Sequence, residues 1–312
     1  GPDGSLLSSG MPSHLIAENL IHKGLKRRLP LGQSPAQFYN SITHLHLDGQ
    51  GLTGNVEPIK LCLNLKVLYL FDNKLEGRVP TELGSCTKLE YLLLEQNRLK
   101  HRIPTQLGLL TNIKHLRLNS NALTGPIPPE LQHMTKLGYL YLDHNALTGT
   151  VPRGLWLALK AYARSIKLNN NELSGEIIMP LLVGREWKFD GILKTIDVSA
   201  NDFTGSPVAL LKATANSFMN QDGTESHLSI LQSVDLSSNR FDDTIGNVVA
   251  ALAGSAVTSL KLSHNELHGP LRGEDMGCSS PADPDVLRDT CLLYTSDAAD
   301  EGLGVDLGGR RI

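Results

Sequence analysis

Leucine or isoleucine recurs along this chain in a fixed rhythm, apolar-x-x-apolar-x-apolar, followed after two more residues by Asn. The rhythm is clearest where the chain repeats itself 24 residues on: Ile113, Leu116, Leu118, Asn121, Leu123, Gly125, Ile127, Pro128 and Leu131 return as Leu137, Leu140, Leu142, Asn145, Leu147, Gly149, Val151, Pro152 and Leu155. Within each burst the leucines alternate with polar or aromatic residues, the two-residue period of a strand with one buried face. A unit this small cannot bury its own apolar face, so it must stack on its neighbours.

With Asn as the marker, Gln50 holds the place first and Asn73, Asn97, Asn121, Asn145, Asn171, Asn201, Asn239 and Asn265 follow, nine units in all. The spacing is 23 or 24 residues as far as Asn145 and then widens, reaching 38 between Asn201 and Asn239. Such insertions are expected in loops, with the strands left in register. The amide of each Asn is expected to satisfy backbone groups of the neighbouring coil, forming a ladder along the stack. The glycine four residues on permits a backbone shape closed to other residues; His101 and Asp243 replace it in two units. The proline that opens each return, as in VPTEL, IPTQL and IPPEL, removes a donor and starts a short helical turn.

The combination LTGxIPxxL, seen in LTGPIPPEL, LEGRVPTEL and LKHRIPTQL, resembles the plant-type leucine-rich repeat of receptor ectodomains and of inhibitors of cell-wall enzymes. The resemblance covers about residues 42–272. It implies an α/β horseshoe solenoid, with a concave parallel β-sheet and short helical or 3-10 turns, or extra strands, on the convex side. The paired-cysteine cap that commonly precedes such arrays in secreted plant proteins is missing from residues 1–41.

Four segments follow: 1–41 as an N-terminal helix and linker or cap, 42–272 as the solenoid, 273–290 as a polar tail, and 291–312. Ser13 is placed to cap a helix over 14–23 that Gly24 ends, and the basic run Lys26, Arg27, Arg28 reads as a solvated linker or cap edge. The longest insertion predicts a helix over 208–218 and a polar loop at NQDGTES, with a partner-contacting loop as the less favoured alternative. Residues 291–301 can be read from codons that resemble a tagmentation sequencing adapter, and 304–312 resemble its flow-cell end. The whole stretch 291–312 is expected to be a cloning or sequencing scar, with the parent gene cut near Thr290.

Composition narrows the function. A net charge of −3, from 29 basic and 32 acidic residues, offers no field for nucleic acid, and no apolar run reaches the length of a membrane span. Cys62, Cys86, Cys278 and Cys291 have neither metal-site spacing nor a disulfide framework. No Asn is followed at the second position by Ser or Thr, so there is no glycosylation acceptor. With no signal peptide at the start, these features favour a reducing, cytoplasmic setting, and an extracellular or membrane-attached one is the alternative.

Specificity must then lie in the letters between the leucines. The outward places of units two to five carry Tyr69, Phe71, Tyr91, Leu93, Glu95, His115, Arg117, Tyr139, Tyr141 and Asp143, whereas those of units six to nine carry mostly Ser, Thr, Asp and Lys. Strands about 4.8 Å apart would merge the first group into one patch. Exposed aromatics flanked by single charges are the usual makeup of an interaction hot spot. His44, His46 and Asp48 alternate on one strand face and could offer two imidazoles and a carboxylate to a metal. They also fall on default solvent positions, and no metal or other cofactor is expected. His115 with Asp143 and His144 could suggest acid-base chemistry, but no nucleophile motif or phosphate loop accompanies them. The expected function is non-enzymatic recognition of a protein or peptide on the concave face of units two to five. The alternative is the ligand-sensing segment of a larger membrane receptor or receptor-like kinase. The oligomeric state is not set by the sequence.

Overall fold

Each leucine burst becomes a three-residue strand, because alternation over so few positions turns its middle residue inward and its flanks outward. The strands are His44–His46, Val67–Tyr69, Tyr91–Leu93, His115–Arg117, Tyr139–Tyr141, Ser165–Lys167, Thr195–Asp197, Ser233–Asp235 and Ser259–Lys261, one per unit. They lie side by side and parallel, and with Ser5–Leu6 at one edge and Leu292–Tyr294 at the other they form an 11-stranded sheet. The computed structural model describes residues 39–56, 59, 62–180, 193–214, 231–252 and 257–269, together with the pairing of four further two- or three-residue strands. The helix predicted over 14–23, the basic run at Lys26 and the polar tail lie outside the described residues.

Register is unbroken along the stack. Leu45, Leu68, Leu92, Leu116, Leu140, Ile166, Ile196, Val234 and Leu260 stand opposite one another in turn. All nine are buried in a single apolar core that runs from Tyr39 to Leu262. After the Asn place in units one to eight the chain enters a second parallel sheet of eight short strands, from Thr53–Gly54 to Arg240–Phe241. The return path then differs by unit length. Pro80, Pro104 and Pro128, held near φ −65°, −70° and −63°, precede the 3-10 turns Thr81–Ser85, Thr105–Leu109 and Pro129–His133. Unit five has two extra residues before the next Asn, and Pro152 precedes a full α-helix there, Arg153–Leu159, with Trp156 wholly buried.

The ladder forms as the sequence predicts. The Asn73 amide nitrogen donates to the carbonyls of Leu47, Leu70 and Phe71 at 2.9, 2.9 and 3.1 Å, and its oxygen accepts from the N–H groups of Gln50 and Leu52 at 3.1 and 2.9 Å. Asn97, Asn121, Asn145, Asn171, Asn201, Asn239 and Asn265 each likewise donate to a carbonyl of the coil before them. The residue just before each ladder Asn takes a left-handed backbone, from Asp72 at φ 53° to His264 at φ 57°. Of the two glycine replacements, His101 keeps the left-handed shape at φ 69°, while Asp243 does not. Its carboxylate instead accepts from the Thr244 N–H, the Asn247 amide and the Ser206 hydroxyl, building the start of helix Ile245–Ala250.

The long insertion departs from expectation. Its helix is shorter than predicted, Val208–Thr214, and Phe218–Met219 pairs antiparallel with Glu225–Ser226 where the end of a helix and a polar loop were expected. The Thr214 hydroxyl donates to the Leu211 carbonyl at 2.8 Å, taking a backbone acceptor in the last turn. The sequence between the two strands holds Asp222–Gly223, a pair that favours antiparallel reversal. At the other end, Leu292–Tyr294 falls within the stretch read as adapter-derived; any extended segment can pair with an open sheet edge, whatever its origin.

Candidate recognition face

Because the register never slips, the outward residues of neighbouring units line up in rows. One row runs Val67, Tyr91, His115, Tyr139 and the next runs Tyr69, Leu93, Arg117, Tyr141. All ten residues expected to form the patch lie on this face in units two to five, with Phe71, Glu95 and Asp143 one step further along their strands. They are half-buried or buried by one another, as outward side chains become when their neighbours are large.

The rings fall into two groups. In the first, His46 meets Tyr69 edge-on with centroids 4.5 Å apart, and Tyr69 meets Phe71 at 6.1 Å. In the second, Tyr91, His115 and Tyr139 stack in line at 4.7 and 4.3 Å, and Tyr139 meets Tyr141 nearly at right angles at 6.3 Å. Buried Val67 and Leu93 lie between the groups, so the patch is continuous but its ring contacts are not. Arg117 sits 4.8 Å over the Tyr141 ring, with Lys167 at 5.1 Å from the same ring, both within cation–π range. Arg117 also lies 3.7 Å from Glu95 Oε1. His46 and Lys167 belong to this surface although they stand in units one and six. Their only signal in the sequence is that they occupy the same outward place as Tyr69 and Tyr141.

Electrostatics fit a binding wall better than an acid-base pair. Burial, then Arg117, Lys114 and Arg164, holds the His115 imidazole down at about 4, so it is neutral near pH 7 and stacks as an aromatic. Asp143 takes its hydrogen bond from the His144 ring at 3.1 Å, away from that stack. Burial also pushes the Glu95 carboxyl above its usual range, opposed by a backbone hydrogen bond and by Arg117. His44 is bonded to the Thr43 hydroxyl at 2.9 Å, and among the described residues no three His, Cys, Asp or Glu side chains are grouped to hold a metal.

Units seven and eight present a contrasting surface. Asp197 accepts from the N–H and hydroxyl of Ser199 at 3.0 and 2.7 Å, and Asp235 accepts from those of Ser237 at 3.1 and 2.6 Å. Lys261 closes on Asp235 at 3.0 Å, and the Ser165 and Thr195 hydroxyls bond each other at 2.6 Å. Here the named side chains satisfy one another.

A stack of coils that each give one strand to the main sheet and are tied by an asparagine ladder defines a leucine-rich repeat solenoid, of which the 11-stranded sheet is the concave side. The Leucine Rich Repeat family pattern matches residues 64–86 and 112–134, and the chain resembles plant-type leucine-rich repeat receptor ectodomains. Among solved structures, it is similar to the ectodomain of the Arabidopsis thaliana membrane receptor kinase GASSHO1/SCHENGEN3 in complex with CASPARIAN STRIP INTEGRITY FACTOR 2, at 25% identity and TM-score 0.60, over 75% of this chain and 26% of that one. The Arabidopsis receptor kinase HAESA ectodomain, solved with an IDA peptide hormone ligand, matches at 22% identity and TM-score 0.61 over 77% and 37%. A plant ice-binding protein matches at 23% identity and TM-score 0.54 over 72% and 73%. The chain thus spans 26% and 37% of the two receptor ectodomains just described. No curated protein sequence matches it. Among the described residues no helix is long and apolar enough to cross a membrane.

Proposed function

We propose that this solenoid is a non-enzymatic recognition scaffold that binds a protein or peptide segment on the concave face of units two to five. The observation that carries the reading is the asymmetry of that face. Units two to five bring aromatic rings and single charges into contact, the composition enriched where interfaces concentrate their energy. Units seven and eight, on the same sheet, close their polar groups on themselves. A ligand-bound ectodomain of the same architecture, 25% identical, supports the assignment of binding to this type of solenoid.

The test is a displayed random-peptide library panned against the full chain. Replacing Tyr69, Phe71, Tyr91 and Tyr141 together with Ser should abolish capture of the selected peptides while leaving the circular dichroism spectrum unchanged. Capture that survives all four changes would place binding elsewhere.

A second reading is favoured by the receptor ectodomains that extend well past the matched region. On it, the chain is the ligand-sensing or regulatory segment of a larger membrane receptor or receptor-like kinase, cut near residue 290. The full-length transcript decides: a membrane span and kinase motifs downstream would support it, and a stop codon after a terminal cap would exclude it.

A further inference from the structure

Folding leaves a row of buried acceptors on the concave face without partners. Glu95 Oε2, Asn119 Oδ1, Asp143 Oδ1 and Asn169 Oδ1 are buried and unbonded in four consecutive units, with Arg117 Nε the one such donor beside them. Two other atoms share this condition among the described residues, Glu130 Oε2 and Trp156 Nε1, and both sit on the return turns away from the sheet. Glu95, Asp143 and Asn169 are each at least nine-tenths buried, at 9%, 7% and 7% exposure. A desolvated acceptor with nothing to accept from is costly, and a donor arriving at the outward face would relieve that cost.

The chemistry of that donor follows from the row. Successive strands are about 4.8 Å apart, so the four residues extend roughly 14 Å along the array, the reach of four or five residues of extended chain. All four unbonded atoms are acceptors, which selects a ligand rich in N–H groups. Two belong to carboxylates in alternate units, Glu95 and Asp143, roughly 9.6 Å apart at the backbone. A peptide in the polyproline II conformation advances about 9.3 Å in three residues and carries i and i+3 on the same side, so side chains at i and i+3 meet both. Charge-assisted donors are the strongest partners for such oxygens. Arg117 fills this role only in part: it forms an ion pair with the other Glu95 oxygen at 3.7 Å and is turned over Tyr141, so Oε2 stays unbonded. Since Arg117 and Lys167 balance the two carboxylates in number, recognition here works by local pairing and hydrogen-bond direction, and not by net charge.

We infer that units three to six are a subsite for a basic peptide segment, with Arg or Lys side chains three residues apart seated on Glu95 and Asp143 and with amide donors on Asn119 between them and on Asn169 beyond Asp143. This rests on the peptide-binding reading of the concave face. In the library experiment, peptides captured by the full chain should be enriched in basic residues at i and i+3. Replacing either Arg of a selected synthetic peptide by neutral, near-isosteric citrulline should weaken binding about tenfold or more. The E95Q/D143N double variant, its fold checked by circular dichroism and melting, should lose the same preference. Peptides that need the four aromatic residues but carry no basic pair, and bind E95Q/D143N unchanged, would overturn the subsite alone. A library that yields no peptide dependent on those aromatic residues would overturn the face and the subsite together. The citrulline comparison uses unaltered protein, so it remains decisive if the double variant misfolds.

Discussion

At the scale of single residues, this fold uses a backbone shape that side chains resist. Asp72, Gln96, Ser120, His144, Asn170, Ala200, Ser238 and His264 all take positive φ just before the ladder Asn, where unit one has Gly49. Asp, Asn, Ser and His can offset the crowding with local hydrogen bonds; Ala200, at φ 50°, has no side-chain group to do so. Ala200→Gly is therefore expected to stabilise the protein by about 0.5–1 kcal/mol, read as a higher urea midpoint. The position was hard to find in the sequence because its occupants share a conformation and not a chemistry, whereas the ladder Asn and the inward leucines each have one job that one side chain does best. His115 is a second case. Its proton affinity is lowered to about 4 in the folded chain, below the unfolded value, so the unfolded state binds more protons between the two. The contribution of His115 to stability should be level above about pH 6.5, fall as pH drops towards 4, and level again below. His115→Phe keeps a ring in the stack and removes the titration. The difference in stability between the two proteins should change with pH in that window only, and an NMR titration of wild type should place the His115 midpoint near 4.

Whole elements are held at fixed spacing by what the return turns leave out. In the 3-10 turn Thr105–Leu109, a Cβ on Gly108 would come within 2.5 Å of the Glu130 carbonyl oxygen and 2.7 Å of the Glu130 Cβ in the next turn. Gly108→Ala must push two stacked turns apart, and a loss of about 1–3 kcal/mol, with a lower melting temperature, is expected. An unchanged melting temperature would show that the turns are not packed against each other. That contact was not legible in sequence, because the glycines of VPTELGSC and IPTQLGLL sit outside the Leu-Asn-Gly-Pro frame and their reason lies in the neighbouring unit. The frame itself was legible for a complementary reason: strand, ladder and turn repeat every 23 or 24 residues in units one to five, so each inference could be checked against its copies. The insertion after unit seven has no copy, and there the predicted helix overran its true end at Thr214.

For the whole molecule, one core and one sheet join nine units, yet function is proposed for only part of their shared face. Sequence alone divided that face into an aromatic half and a polar half, since outward places follow from alternation. It did not reveal that the aromatic half divides again around Val67 and Leu93, or that acceptors in units three to six are left unbonded. Both depend on rotamers and on contacts between units. The ladder carries a last consequence, for the order of events in time. Every ladder Asn from Asn73 to Asn265 directs its amide to a carbonyl of the coil before it. Chains emerge from the ribosome N-terminus first. Each new coil therefore meets acceptors that have already been made, and the solenoid can lengthen one coil at a time during synthesis, its ladder bonds waiting on nothing further downstream.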